Sequence, residues 1–189
     1  AAGYAVGIQI IVARRYGEGN YDRVGVIFQH GSLFVLILGS ILFSILYLFS
    51  DQILFWLIDS PNIYEEALDY IKYRQFGIIF VCFNFLYRAL YVGISNTKVI
   101  TYSTVIMACV NILLDYCLIF GHFGFPEMGI GGAALASFMA ELSAFLFFTI
   151  YSYTTLRKRE FGMFKIYRLE SELMQRILKI STPTMIQKL

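Results

Sequence analysis

The chain has 189 residues, of which 58% are hydrophobic and only 15% are charged, and its mean hydropathy is +0.66. A soluble domain carries roughly a quarter charged residues, so this composition excludes a soluble globular domain. The formal net charge of +2 is too small to indicate nucleic-acid binding. The composition instead predicts an all-α membrane protein built from several apolar helices.

Four apolar segments are long enough to cross a bilayer, which takes about 20 helical residues. Residues 1–12 are apolar but shorter, and a polar, glycine-containing loop over residues 14–23 separates them from the first full segment. We expect residues 1–12 to be the end of another spanning helix. The predicted complete spans are residues 24–49, 70–93, 99–120 and 128–153.

Basic residues fall in every second connection between these segments. They are Arg14, Arg15, Arg23, Lys98, Arg157, Lys158, Arg159, Lys165 and Arg168. The intervening connections, around Asp59 and Pro126, are acidic or glycine-rich. Because short basic loops stay in the cytoplasm, the pattern predicts that the connections around Asp59 and Pro126 lie outside.

The C-terminal part is predicted to connect two groups of helices. Leu169, Leu173 and Ile177 recur every four residues, which gives an amphipathic helix one apolar stripe, expected along the cytoplasmic membrane surface. Thr182 and Pro183 have the cap and first-turn preferences of a new helix. The predicted organisation is transmembrane helices over 1–155, a cytoplasmic amphipathic connector over 156–180 and the start of a further helix over 181–189.

Several polar side chains lie inside the predicted spans, where an ionisable group costs at least about 2.5–3.5 kcal/mol. Asp115 and Glu141 are ionisable, and Asn111 precedes Asp115 by one helical turn on the same face. Counting 1.5 Å per residue from the predicted cytoplasmic ends places Asn84, Asn111 and Glu141 at about 18 Å, near mid-membrane. Asp115 lies about one turn further out.

Two interpretations of these residues are open. As a functional site, Asn111, Asp115 and Glu141 line a water-accessible cavity and bind a cation or a proton. As a structural device, they join helices through buried hydrogen bonds, which a protonated Glu141 beside Ser137 could also do. Function is favoured at Asp115, because an ionised carboxylate is costly where a neutral amide would serve packing equally well.

Two segments resemble the multidrug and toxic compound extrusion (MATE) family: residues 111–121 (NILLDYCLIFG) and residues 125–137 (FPEMGIGGAALAS). Residues 17–21 (GEGNY) resemble the family's first cytoplasmic turn. Residues 93–98 (GISNTK) are similar to its Gly-x-Gly-Asp-Thr-Lys turn, with Ser95 and Asn96 in place of the usual Gly and Asp. The resemblance extends over essentially the whole chain.

This resemblance implies a twelve-helix exporter of two six-helix lobes, driven by sodium or proton entry. The chain would run from the end of helix 2 to the first turns of helix 7, with the second lobe beginning within residues 181–189. The family's N-terminal-lobe cation site implies Asn111 and Asp115 as ligands of Na⁺ or H⁺, with Ser137 as a hydroxyl ligand. Part of the family binds its cation in the other lobe, and this alternative stays open.

The expected function is an antiporter that exports amphipathic, often cationic organic compounds, with no catalytic residue and no cofactor beyond the coupling ion. The predicted cation- or proton-coupling residues are Asp115, Asn111, Glu141, Ser137 and Asn84, with Na⁺ expected at Asp115 and Asn111. The expected partners are a small organic substrate and the lipid bilayer, without nucleic acid. We expect the full-length chain to act as a monomer in a bacterial inner membrane.

Two alternatives to this function remain. A lipid-linked oligosaccharide flippase would share the architecture but would carry more basic residues in its cavity, where Arg88 is the candidate. A membrane-embedded enzyme or a structural membrane protein is the alternative of another class. The sequence contains neither an HExxH motif nor a recognisable Ser/His/Asp set, which disfavours the enzyme.

Overall fold

The computed structural model describes residues 2–156, 161–162 and 170–186. Within these ranges the chain forms α-helices and two short 3₁₀ turns, without a β-strand, so the predicted all-α fold is confirmed. The 3₁₀ turns are Gln75–Gly77 and His122–Gly124. The helices are α1 (Ala2–Gly17), α2 (Tyr21–Leu57), α3 (Pro61–Arg74), α4 (Ile78–Gly93), α5 (Lys98–Phe120), α6 (Gly129–Thr155) and α7 (Ser171–Ile186).

The first connection is shorter than predicted, because α1 takes in Arg14 and Arg15. Gly19 follows the helix with φ +71°, the left-handed conformation that glycine adopts at least cost. Its N–H donates to the Tyr16 carbonyl, and the next N–H donates to the Arg15 carbonyl, both at 3.0 Å. These bonds end α1, so only residues 18–20 separate it from α2.

α2 is longer than the predicted segment 24–49. It continues to Leu57 and includes Asp51, which lies beyond the predicted end of the span. Its 37 residues make it about 55 Å long, more than the roughly 30 Å of bilayer hydrocarbon. The helix stops before Pro61, since a proline suits the first turn of α3 and cannot continue α2.

The predicted span over residues 70–93 starts earlier in the structure and is interrupted. Its first residues belong to α3, which starts at Pro61, and the 3₁₀ turn Gln75–Gly77 separates α3 from α4. The apolar pattern of residues 78–93 contains no signal for this change of winding. α3, the turn and α4 still form one candidate spanning segment, Pro61–Gly93, of 33 residues.

The helices predicted over residues 99–120 and 128–153 are confirmed as α5 and α6. In the turn between them Gly121 has φ +67° and Phe123 has φ +58°. The Met128 N–H donates to the Leu118 carbonyl at 2.9 Å. The returning chain therefore satisfies a carbonyl that the end of α5 would otherwise leave without a donor.

α7 corrects the helix start predicted at Pro183. The helix begins at Ser171 and passes through Pro183 to Ile186, so residues 171–186 form one element. The amphipathic pattern before Pro183 is already helical. Pro183 lacks one backbone N–H donor, but the helix continues through it. The predicted basic residues 157–159, 165 and 168, and Leu169 of the stripe, lie outside the described residues.

The apolar stripe of α7 packs against α1 in the first of two compact units. This unit comprises Ala1–Leu38, Cys82–Ser103 and Leu146–Leu189. Ile177 is fully buried, and a Cβ at Gly7 would meet the Ser181 side chain and the Ile177 carbonyl. The stripe therefore faces α1. Its location along the cytoplasmic membrane surface stays a prediction.

Aromatic side chains join other helices within the first unit. Tyr91 of α4 is fully buried and shares a hydrogen bond with the Ser152 hydroxyl of α6 at 2.7 Å. Tyr4 of α1 stacks on Phe34 of α2 with ring centroids 3.9 Å apart. Stacked rings and a buried hydrogen bond between hydroxyl groups therefore both join helices within this unit.

The second unit comprises Gly39–Val81 and Thr104–Phe145. Within it α5 and α6 meet at Gly132, where an added Cβ would collide with the Leu118 carbonyl. The Phe80 ring lies 5.9 Å from Phe138 and 5.4 Å from Phe145, between centroids. Close backbone approach and aromatic packing therefore hold these helix segments together.

Among the residues that the structure describes, four helical segments are long and apolar enough to cross a membrane: Tyr21–Leu57, Pro61–Gly93, Lys98–Phe120 and Gly129–Thr155. Large apolar side chains are exposed on them, such as Leu113 at 66% and Ile150 at 63%. Such extended apolar surface is unfavourable in water and favourable in lipid. The chain is therefore an integral, multi-pass membrane protein.

Candidate cation-coupling site

Asn111 and Asp115 lie one turn apart on α5 and are both half-buried. Residues on the opposite side of α5, such as Leu113 and Tyr116, are apolar or aromatic and exposed. The Oδ1 atom of Asp115 is buried, and no described residue donates a hydrogen bond to it. α5 therefore presents a carboxylate and an amide on a side distinct from its exposed apolar surface.

Leu118 of α5 and Gly132 of α6 are in contact and so lie at the same height along the two helices. The heights of the polar residues on both helices can be compared from this point. Counted from this contact at 1.5 Å per residue, Asp115 lies about 4.5 Å away, Ser137 about 7.5 Å and Asn111 about 10.5 Å. Because the two antiparallel helices both lead away from the same turn, Ser137 lies at a height between the other two.

Ser137 and Glu141 nevertheless leave α6 in another direction. At 3.6 residues per turn they lie about 140° and 180° around the helix from Gly132, the residue whose α-carbon faces α5. Glu141 instead meets Arg74, the last residue of α3, through two hydrogen bonds of 2.6 and 2.8 Å. The structure thus brings Asn111 and Asp115 together and places Glu141 in an ion pair on another face.

Asn84 is buried, with 9% of its side chain exposed, and lies in the first unit. Asn111, Asp115, Ser137 and Glu141 lie in the second unit. The roles of all five residues in cation coupling stay predictions.

Asn111 and Asp115 together offer one anionic and one neutral oxygen group. Oxygen ligands of this kind suit hard cations such as Na⁺, and an ionised carboxylate can also take up a proton. Either event would neutralise a charge that the interior of a spanning segment disfavours. The arrangement can therefore hold and release one positive charge.

Comparisons with known proteins identify the group to which this chain is related. The family model MatE matches residues 1–117. The chain belongs to the MATE family. It is 27% identical over 186 residues to the "Probable multidrug resistance protein NorM" of Agrobacterium fabrum, covering 98% of this chain and 40% of that protein.

Two solved structures of a multidrug resistance MATE family transporter of the MOP superfamily have the same fold as this chain. The inward-facing structure matches with a TM-score of 0.83 and 21% identity, covering 97% of this chain and 41% of that one. The outward-facing structure matches with a TM-score of 0.84 and 21% identity, covering 98% and 40%. The chain thus spans about two fifths of the length of these relatives.

The turn that resembles the MATE Gly-x-Gly-Asp-Thr-Lys motif contains a residue with left-handed backbone. Ser95 has φ +57°. Its N–H donates to the Val92 carbonyl at 3.0 Å, and the Asn96 N–H donates to the Tyr91 carbonyl at 2.9 Å. A serine here occupies the left-handed position for which glycine is best suited.

Sequence reasoning missed two residues that make specific polar contacts. The sequence does not indicate Arg74 as a partner of Glu141, because the two residues lie 67 positions apart. His30 received no role, yet it is 1% exposed: its Nδ1–H donates to the Val26 carbonyl, and its Nε2 accepts the Glu170 N–H, both at 2.8 Å. No local pattern around His30 indicates a partner 140 positions later.

Proposed function

We propose that the full-length protein is a secondary antiporter that exports amphipathic, often cationic organic compounds in exchange for Na⁺ or H⁺. It would act as a monomer in a bacterial inner membrane. Membership of the MATE family and the multidrug resistance names of bacterial relatives support this proposal. The main structural support for the coupling mechanism is the buried Oδ1 of Asp115, to which no described residue donates a hydrogen bond.

The coupling cation would bind Asp115 and Asn111, whereas Glu141 is already paired with Arg74. The roles predicted for Ser137 and Asn84 stay predictions. Cation binding neutralises the carboxylate, and its release restores a charge that is costly inside the bilayer. The two charge states thereby favour different helix arrangements, as alternating access requires. The likeness of this fold to both inward- and outward-facing structures supports a lobe that keeps its fold during exchange.

The test is transport by the purified full-length protein in liposomes. A cationic dye loaded inside should leave when a Na⁺ or H⁺ gradient is applied. We expect Asp115→Asn to reduce cation-driven export by about 5- to 150-fold, the range of typical coupling energies between two ligand sites. The neutral amide preserves size and hydrogen bonding but cannot exchange a charge.

Asp59→Asn is the matched control, because Asp59 is an exposed carboxylate between α2 and α3. This variant should transport at the wild-type rate. A folded Asp115→Asn protein that still exports dye at full rate would refute the proposed site. A lipid-linked oligosaccharide flippase remains the alternative, and it would not exchange dye for cations in this assay.

A further inference from the structure

The ion pair between Arg74 and Glu141 links two candidate spanning segments. Nη1 of Arg74 donates to Oε2 of Glu141 at 2.8 Å, and Nη2 donates to Oε1 at 2.6 Å. The side chains are 29% and 14% exposed, respectively. This fork geometry is the strongest that a guanidinium and a carboxylate adopt.

The local structure leaves room for this pair. A Cβ at Gly77 would collide with Oε2 of Glu141 and Nη1 of Arg74. Gly77 ends the 3₁₀ turn that begins immediately after Arg74. The 3₁₀ turn and a residue without a side chain, Gly77, thus occur next to the ion pair.

Aromatic side chains flank Glu141 along its helix. Phe138 and Phe145 lie one turn before and one turn after Glu141 on α6, and both pack on Phe80 of α4. Tyr70 of α3 is a further titratable group close to Arg74.

Stability alone does not account for such a pair. Replacing a buried ion pair by apolar residues of similar volume is often neutral or stabilising, whereas removing one partner leaves an uncompensated charge. Arg74 therefore neutralises a carboxylate that would otherwise attract a cation, as Asp115 is proposed to do.

We propose that Arg74 is a positioning residue that acts as a tethered cation: it keeps Glu141 ionised and occupied, so that the coupling cation exchanges at Asp115 and not at Glu141. This inference rests on the proposed antiport function. It gives Asp115 and Glu141 different roles: Glu141 is neutralised by the protein's own Arg74, and Asp115 is open to a cation from solution.

The experiment compares substrate-free Na⁺ and H⁺ uptake with cation-driven dye export, using full-length protein in liposomes. Glu141→Gln should keep cation-driven export, unlike Asp115→Asn. Arg74→Gln should raise substrate-free cation uptake by about fivefold or more, because Glu141 becomes available to cations. The double variant Arg74→Gln with Glu141→Gln should return uptake to the level of Glu141→Gln alone.

Lys72→Gln is the matched control, since it removes an exposed cation from α3 two residues away. Arg74→Lys keeps the charge without the fork and should give uptake between wild type and Arg74→Gln. Loss of cation-driven export in Glu141→Gln would overturn the proposal, as it would make Glu141 itself a coupling residue. Equal losses in Arg74→Gln, Glu141→Gln and the double variant would also overturn it, since they indicate a structural clamp only.

Failure of the antiport function can be recognised separately by a binding measurement. Na⁺ titrated against purified protein should raise the melting temperature of Arg74→Gln more than that of the double variant, whether or not either transports dye. An equal response of the two proteins would count against the role of Arg74.

Discussion

Two turns that follow helices in this protein use a left-handed residue, and the residue type differs between them. Gly19 after α1 and Ser95 after α4 both have positive φ, +71° and +57°. In each, the N–H of the residue and the N–H of its successor bond to carbonyls of the last helical turn. A left-handed conformation costs a residue with a Cβ roughly 1–2 kcal/mol, and glycine escapes this cost.

We therefore predict that Ser95→Gly stabilises the protein by about 1 kcal/mol. The relevant measurement is thermal unfolding of the purified full-length protein in detergent, followed by circular dichroism. Gly19→Ser is the reciprocal variant and should destabilise by a similar amount. A lower melting temperature for Ser95→Gly would mean that the serine side chain contributes more than its backbone strain costs.

The helices themselves differ in how far the sequence could predict them. α5 and α6 were predicted to within a residue or two, because their apolar runs end at strong turn residues such as Gly121 and Pro126. The break between α3 and α4 was missed because it accompanies a contact between Arg74 and Glu141, which are distant in sequence. Periodicity records the apolar face of a helix and contains no information about a partner on another helix.

The contact between α5 and α6 predicts how alanine substitutions at two neighbouring glycines change the stability of the protein. An added Cβ at Gly132 would lie 2.6 Å from the Leu118 carbonyl oxygen, whereas one at Gly131 would lie 3.1 Å from the edge of the Tyr73 ring. Backbone cannot move aside as readily as a ring, so Gly132→Ala should destabilise by about 1–3 kcal/mol, the usual cost of overpacking. Gly131→Ala should cost less, and thermal unfolding compares them directly. Equal stability of the two variants would argue against tight α5–α6 packing.

At the scale of the whole molecule, part of the candidate site was visible in the sequence. The four-residue spacing of Asn111 and Asp115 fixes their common face wherever the helix lies. The neutralisation of Glu141 could not be read from spacing, because heights along helices say nothing about direction around them. Ser137 illustrates the same limit, since its height matches that of the α5 pair while its side chain leaves another face of α6.

The orientation of the molecule in the membrane is the largest-scale prediction. Basic residues lie near the α1–α2 and α4–α5 connections, whereas the α2–α3 connection and the first turns of α3 are acidic. Since cytoplasmic loops carry the excess of Lys and Arg, Asn20 and Thr97 should face the cytoplasm, and Asp59 and Glu127 should face outward.

Single cysteines at these four exposed positions, in a protein whose natural cysteines Cys82, Cys109 and Cys117 are replaced by alanine, can test this orientation. A membrane-impermeant maleimide should label Asp59→Cys and Glu127→Cys in intact cells. It should label Asn20→Cys and Thr97→Cys only after the membrane is opened. The reverse labelling pattern would contradict the predicted orientation, because the basic connections would then lie outside the cell.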